Sequence, residues 1–350
     1  MGALDIAALE AEARSRLDPA VYDYVAGGAG EEWTLQANER AYQAYSLAPR
    51  VLRGTGPPDL TGGLLGQAMS MPLVIAPTAF HRLAHADGES GTAWAAAQAG
   101  IPMILSLAAT EAIEAVAQAA GICPWFQLYI QPDLGFTETL IRRAEAAGCP
   151  ALVVTVDSPA FGRRKRDQVH GFTDLPSGFA CENMREAPGL PPRQIAFSPA
   201  LSWHEIDWLR ARTGLPILLK GIMHPRDARL AIEHGVDGIY VSNHGGRQLD
   251  GTAPTLSLLP AIAGEVAGQV PIFFDGGIRR GTDILKALAL GADVVAIGRP
   301  VIWGLAAGGA AGVAALLEAF RDDLAHSLLL SGCGSPADLD PSMLLREGGS

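Results

Sequence analysis

Eight short aliphatic runs, each closed by polar, Gly or Pro residues and mostly followed by an alanine-rich helical stretch, predict an α/β chain folded as a (β/α)8 TIM barrel. Such alternation implies parallel strands joined by crossover helices, and eight units close most naturally on themselves. The length agrees, since 350 residues suffice for one large barrel read as a single domain, 1–350. With 49% hydrophobic and 18% charged residues there is enough apolar material for a sizeable core.

The strand runs are PLVIAP at 72–77, PMILS at 102–106, WFQLYI at 125–130, ALVVTVD at 151–157, PILLKG at 216–221, GIYVSN at 238–243, PIFFDGG at 271–277 and VVAIGRP at 294–300. Between them lie GESGTAWAAAQAG, TEAIEAVAQAA, LGFTETLIRRAEAAG, PRDARLAIEHG and GTDILKALALG, which read as helices. The barrel proper thus spans 71–330. Residues 1–70 are expected to form an N-terminal helical cap over the barrel bottom or side. Residues 159–200, rich in Pro, Gly and Arg, form a long loop after strand 4. Its place at a strand C-terminus makes it a candidate active-site lid. The last 20 residues read as a tail with a short helix.

A net charge of −11 argues against a nucleic-acid partner, which needs a basic face, but not against a small anion in a locally basic pocket. Cys123, Cys149, Cys181 and Cys333 form no CxxC pair and no metal-ligand spacing, so neither a disulfide framework nor a metal is expected. The amphipathic N-terminus lacks the apolar run of a signal peptide, and no uninterrupted apolar stretch is read as a membrane span. A cytoplasmic setting without membrane contact is the expectation.

In such a barrel, polar residues at strand C-termini face the active site. The strand ends offer Thr78, Ser106, Gln127 with Tyr129, Thr155 with Asp157, Lys220, Ser242 with His244, Asp275, and Gly298 with Arg299. Lys220, one of three lysines against 23 arginines, ends an apolar run. There it suits a site where negative charge develops, and from this residue alone Schiff-base chemistry stays open. In SNHGGRQLDG (242–251), His244 follows a strand, is flanked by glycines and precedes Arg247 by three residues. A base beside a guanidinium suits proton removal from a carboxylate-bearing substrate, and Asp157 could orient the imidazole. DGGIRRG (275–281) and GRP (298–300) have the glycines and arginines, Arg279 and Arg299, of a phosphate site after strands seven and eight. Asp275 could bind sugar-like hydroxyls there. His81 and His85 read as a solvated helix start, Arg142–Arg143 as a surface face, and Trp33, Trp94, Trp203, Trp208 and Trp303 as packing.

Together SNHGGRQLDG, APTA, WFQLY, VDSPAFGRR, LLKG and DGGIRRGTD make the chain resemble the FMN-dependent α-hydroxy acid oxidases and dehydrogenases over nearly its whole length. The resemblance implies an FMN cofactor and the oxidation of an (S)-2-hydroxy acid to the 2-oxo acid. It makes His244 the base and Asp157 its partner. Arg247 and Arg164 would hold the substrate carboxylate, with Tyr24 and Tyr129 around the substrate. The flavin would meet Pro77, Thr78, Ala79, Ser106, Gln127, Thr155, Lys220 and Ser242. Asp275, Gly277, Arg279, Gly298 and Arg299 would take the ribityl chain and phosphate. It also implies a homo-oligomer, a tetramer or octamer. Hydride and carbanion routes would use the same residues.

One departure stands out: Ala108 replaces the tryptophan that glycolate oxidases carry in SSWAT, which predicts a substrate larger than glycolate, aromatic or long aliphatic. Ala79 in APTA favours O2 as electron acceptor, with a quinone- or protein-linked dehydrogenase as the alternative. A flavin-barrel isomerase and a non-catalytic flavin barrel are the other readings, and the intact His–Arg set speaks against both.

Overall fold

The structure, a computed structural model, describes residues 4–187 and 189–347. The first three residues of the cap, Pro188 of the long loop and the last three of the tail lie outside them.

The cap opens with helices α1 (Ile6–Arg16), α2 (Pro19–Ala26) and α3 (Trp33–Arg40), capped at α1 and α2 by the Asp5 and Asp18 carboxylates. It is not helical throughout. Strand β1 (Tyr45–Leu47) follows, then a hairpin of β2 (Gly62–Leu64) and β3 (Gln67–Met69). The eight barrel strands are β4 (Leu73–Ile75), β5 (Ile104–Leu105), β6 (Trp125–Leu128), β7 (Leu152–Thr155), β8 (Ile217–Ile222), β9 (Gly238–Val241), β10 (Ile272–Phe274) and β11 (Val294–Ile297). Each falls inside one of the eight aliphatic runs or extends it by one residue. They pair in parallel in the order β4-β11-β10-β9-β8-β7-β6-β5, and an Ile75–Met103 bridge closes the ring.

Continuous apolar runs suit these strands because both faces are covered. Inward-pointing Val74, Ile104, Trp125, Val153, Leu218, Tyr240, Phe273 and Val294 fill the barrel. Their alternating neighbours Leu73, Ile75, Leu105, Phe126, Leu152, Leu219, Ile239 and Val295 meet the surrounding helices. The hairpin plugs the barrel bottom: Leu64, Leu65 and Met69 join the interior cluster, and Trp125 Nε1 donates to Gln67 Oε1 at 2.9 Å. The α-helical part of the cap lies elsewhere, and α2 and α3 reach the opposite end, beside the loop after β9. Sequence patterning alone did not separate these two roles.

The other helices are α4 (His81–Ala84), α5 (Gly88–Ala99), α6 (Ile113–Ala120), α7 (Leu134–Ala146), α8 (Lys165–His170), α9 (Trp203–Arg210), α10 (Pro225–Glu233), α11 (Thr255–Val266), α12 (Gly281–Ala289) and α13 (Arg299–Ser331). The last, α13, is long and apolar enough to cross a membrane by length and composition alone. Here it breaks at Gly308–Gly309, and Val301, Trp303, Leu305, Val313, Leu317 and Phe320 are buried against the rest of the protein. The tail holds two 3-10 turns and strand β12 (Leu344–Arg346), which pairs antiparallel with β1, where a helix was expected.

Three further expectations change. Trp33 and Trp94 are 49% and 42% exposed, so they are not packing residues. Arg143 is pinned by Glu114 and donates to the Asn183 and Arg185 carbonyls, tying α7 to the long loop, while Arg142 is exposed. His81 is fully buried, because α4 starts beneath the first barrel strand's end and not in solvent. Cys123 and Cys149, distant in sequence, come together with their sulfurs 3.1 Å apart; all four cysteines are free thiols. Among the described residues, no group of three or more His, Cys, Asp or Glu could hold a metal ion.

Candidate active site

Residues from the C-terminal ends of all eight barrel strands meet in one cleft of about 1310 Å³, its open mouth included. It is lined by Pro77, Thr78 and Ala79 after β4, Ser106 and Ala108 after β5, and Tyr129 after β6. Lys220, His244, Arg247, Asp275, Gly277, Arg279, Gly298 and Arg299 supply the far side, and Tyr24 from α2 and Arg164 from the long loop supply the rim. Asp157, Gln127, Thr155 and Ser242 stand behind this lining. Gln127 bridges Ser106, the Leu107 N–H and Thr155, and Ser242 takes the Lys220 ammonium at 3.0 Å.

The centre is His244. It sits in a left-handed backbone conformation (φ 58°) at the start of a 3-10 turn, His244–Gly246. For a non-glycine residue that costs on the order of 1–2 kcal/mol. The cost is offset locally: the His244 N–H donates to Ser242 Oγ, and the Gly246 N–H donates to Asn243 Oδ1. His244 Nδ1 lies 3.0 Å and 3.2 Å from the two Asp157 oxygens, so Nε2 is left free on the ring's other side. Gly221 makes room for Asp157: it holds φ 110° at the bulge after Lys220, and a Cβ there would lie 2.6 Å from the Asp157 Cβ.

Burial alone would push the Asp157 carboxyl up. The His244 imidazole and its hydrogen bond, the Lys220 charge and the Ser158 hydroxyl overcome that and hold it below the usual aspartate range. A depressed carboxyl contributes stability that is present above the unfolded pKa, ~3.9, and is lost as pH falls through the folded value. Asp157→Asn is therefore expected to shrink the acid loss of stability, read as melting temperature against pH for both proteins. Identical acid limbs would contradict the pairing.

Charge collects in the cleft of this acidic protein. The Tyr24 ring lies between two guanidiniums, Arg247 at 4.8 Å and Arg164 at 5.4 Å from its centroid. Arg164 is paired with Asp167, whereas Arg247 donates to the Tyr24 and Gly27 carbonyls. Burial, and then the Arg164 charge, pull Arg247 below its ordinary value. Arg299 donates to the Val25, Gly27 and Gly245 carbonyls. Burial, Arg247 and Arg279 bring it down to about 9. Among the described residues neither Arg247 nor Arg299 has a carboxylate partner. A buried cation without a counter-ion is costly, several kcal/mol in real proteins, so these two positions are built to receive anions. One faces His244. The other lies at Gly298, the N-cap of α13, where helix N–H groups add to the attraction.

The floor between them is also shaped for a ligand. Asp275 Oδ1 is buried without a hydrogen-bond partner, and Lys220, 3% exposed, approaches Asp275 Oδ2 only to 3.7 Å. Gly277 (φ 77°) abuts α3, where a Cβ would come 2.4 Å from the Asn38 carbonyl oxygen. Sequence reasoning missed the apolar wall: Phe80, Phe161, Ile195 and Phe197 also line the cleft. Phe197 packs edge-on against both Phe161 and Tyr129. Phe161 lies three residues before Arg164, and that proximity was the one available signal.

A barrel with a histidine–aspartate pair, a carboxylate-sized cationic position and a second, phosphate-like position defines a flavin-dependent oxidoreductase for small acids. Residues 13–346 match the family described as FMN-dependent dehydrogenase. The chain is 44% identical to L-lactate oxidase of Nostoc sp., over 95% of each chain, and 43% identical to human (Homo sapiens) 2-hydroxyacid oxidase 1, over 97% of this chain and 95% of the relative. A crystal structure of mandelate oxidase with benzoyl-formic acid superposes with a TM-score of 0.91 at 41% identity, covering 98% of both chains. The chain belongs to the FMN-dependent dehydrogenase family, and it is an enzyme that acts on the CH–OH group of 2-hydroxy acids with FMN as cofactor. The cleft fits that group on its own terms: the orphaned Asp275 oxygen can take ribityl hydroxyls, Arg279 and Arg299 the phosphate, and Lys220 a ring oxygen or nitrogen.

Proposed function

We propose that this protein oxidises an (S)-2-hydroxy acid larger than glycolate to its 2-oxo acid and passes the electrons to O2. One observation carries the reading: His244, its Nδ1 committed to Asp157, keeps Nε2 free in the cleft that Arg164 and Arg247 also line. Arg164 and Arg247 hold the substrate carboxylate. His244 Nε2 takes the hydroxyl proton, and Asp157 stabilises the imidazolium that results. Burial and the neighbouring Asp157 charge raise the Tyr129 phenol well above its usual range, so it stays protonated and donates to the substrate. Bound FMN would supply the two-electron acceptor for the α-hydrogen and its electron pair. Lys220, a buried cation, compensates the negative charge that then develops.

The substrate's side chain meets Ala108 and the aromatic wall of Phe80, Phe161 and Phe197. An aromatic or long aliphatic chain buries apolar area there that glycolate lacks. Mandelate or 2-hydroxyoctanoate is expected to exceed glycolate in kcat/KM by about 10–200-fold, the range for added apolar bulk. Ala108→Trp should narrow or reverse that ratio. Steady-state assays of glycolate, lactate, mandelate and 2-hydroxyoctanoate decide, and a native preference for glycolate refutes the size claim. The oxidase names of the relatives cited above and Ala79 support O2 as acceptor, which peroxide formation would test.

A further inference from the structure

His81 is a buried, uncharged-looking histidine with no part in the chemistry above, yet it touches the cofactor cleft through one atom. Its Nε2 lies 2.6 Å from Thr78 Oγ1, and Thr78 lines the cleft. Its Nδ1 lies 2.9 Å from Thr92 Oγ1. Thr92 donates its own hydroxyl proton one turn back, to the Gly88 carbonyl, at 3.1 Å. A Thr92 proton held by the Gly88 carbonyl leaves Thr92 Oγ1 to accept from His81, and on that assignment the imidazole proton sits on Nδ1. Nε2 is then a bare lone pair, and the Thr78 hydroxyl must donate to it. The Thr78 proton is spent inside the wall, and only its oxygen lone pairs face the cleft.

The rest of the cluster fixes this arrangement. Glu89, fully buried, accepts from the His81 N–H at 3.0 Å, the Thr110 N–H at 2.8 Å and the Thr110 hydroxyl at 2.6 Å. It thereby anchors the start of α4 against α5. Burial outweighs the nearby Glu89 charge and lowers the His81 pKa, which keeps the ring neutral.

We propose that His81 is a positioning residue for the flavin: it holds the Thr78 hydroxyl as a pure hydrogen-bond acceptor toward the cleft and so favours the reduced cofactor. The reason is a difference between the two redox forms. The oxidised isoalloxazine ring presents lone pairs at N5 and its carbonyls, which a pure acceptor does not satisfy. The reduced ring gains an N–H at N5, which it does. Freeing the Thr78 proton would reverse the preference by letting the hydroxyl donate to the oxidised ring.

The test rests on FMN occupying the cleft but needs no substrate, so its failure leaves the hydroxy-acid reading untouched. Apoprotein is titrated with oxidised and with reduced FMN, and the midpoint potential of the holoenzyme is measured beside it. In His81→Leu the ratio of reduced to oxidised affinity is expected to fall by about tenfold, the size of one hydrogen bond, and the potential to fall with it. His81→Gln, whose amide oxygen can accept from Thr78 while its NH2 donates to Thr92, restores the native ratio. In a Thr78→Val background His81→Leu has no further effect. An unchanged ratio in folded His81→Leu, or a shift that persists in Thr78→Val, overturns the proposal. Should His81→Leu not fold, Thr78→Val reads the same hydroxyl from the cleft side, and a native ratio there overturns it equally.

Discussion

Turnover of a His244→Gln variant is expected to fall by about 10²–10⁴-fold, the usual contribution of a positioned general base. Glutamine can still occupy the site between Asp157 and the cleft, but it cannot take a proton. FMN should remain bound, because the groups that fit its phosphate and ribityl chain are Arg279, Arg299, Gly298 and Asp275, none of which the substitution changes. Rapid mixing of the anaerobic variant with substrate separates the two outcomes: a retained flavin spectrum with slow bleaching agrees, and native reduction rates refute the base assignment. The left-handed backbone at His244 adds a control. The loop is held by the His244 N–H on Ser242 Oγ and the Gly246 N–H on Asn243 Oδ1, neither of which uses the His244 side chain, so the substitution should leave it in place.

Arg247→Met is expected to give the second-largest loss, on the order of 10²-fold or more in kcat/KM. Truncating one member of a buried, hydrogen-bonded charge pair typically costs about 2–5 kcal/mol. Among the described residues Arg247 forms no ion pair with a carboxylate, which leaves its charge for the substrate. Arg164→Met should cost less, since Arg164 already pairs with Asp167. The readout is kcat/KM for a 2-hydroxy acid against the corresponding amide. The native enzyme should prefer the acid strongly, and Arg247→Met should erase most of that preference. Equal discrimination in both proteins would place the carboxylate elsewhere.

The barrel was legible because strands buried on both faces must be continuously apolar, and that pattern is explicit at 72–77, 151–157 or 216–221. Arg247 and His244 were legible because they are three residues apart on one glycine-rich loop. The role of Asp157 as partner came from strand position and from family likeness, and its distance to His244 depends on the Gly221 bulge, which periodicity does not reveal. The cap was half legible: its helices carry clear signals, but a β2–β3 hairpin of six paired residues is too short for a pattern to mark it as the barrel plug. His81 was misread for a physical reason. An i, i+4 histidine pair beside a strand end looks solvated until Glu89, Thr92 and Thr110, eight to 29 residues downstream, close over it. The aromatic wall of Phe161 and Phe197 comes from a segment without regular periodicity, where only three-dimensional closure brings the rings together.

The most direct test of the account is anaerobic titration of the purified holoenzyme with a 2-hydroxy acid, following the visible flavin band and the 2-oxo acid formed. Full bleaching with one 2-oxo acid per flavin, slowed by orders of magnitude in His244→Gln, is the predicted result. A flavin band that stays unbleached with glycolate, lactate, mandelate and 2-hydroxyoctanoate alike would contradict it.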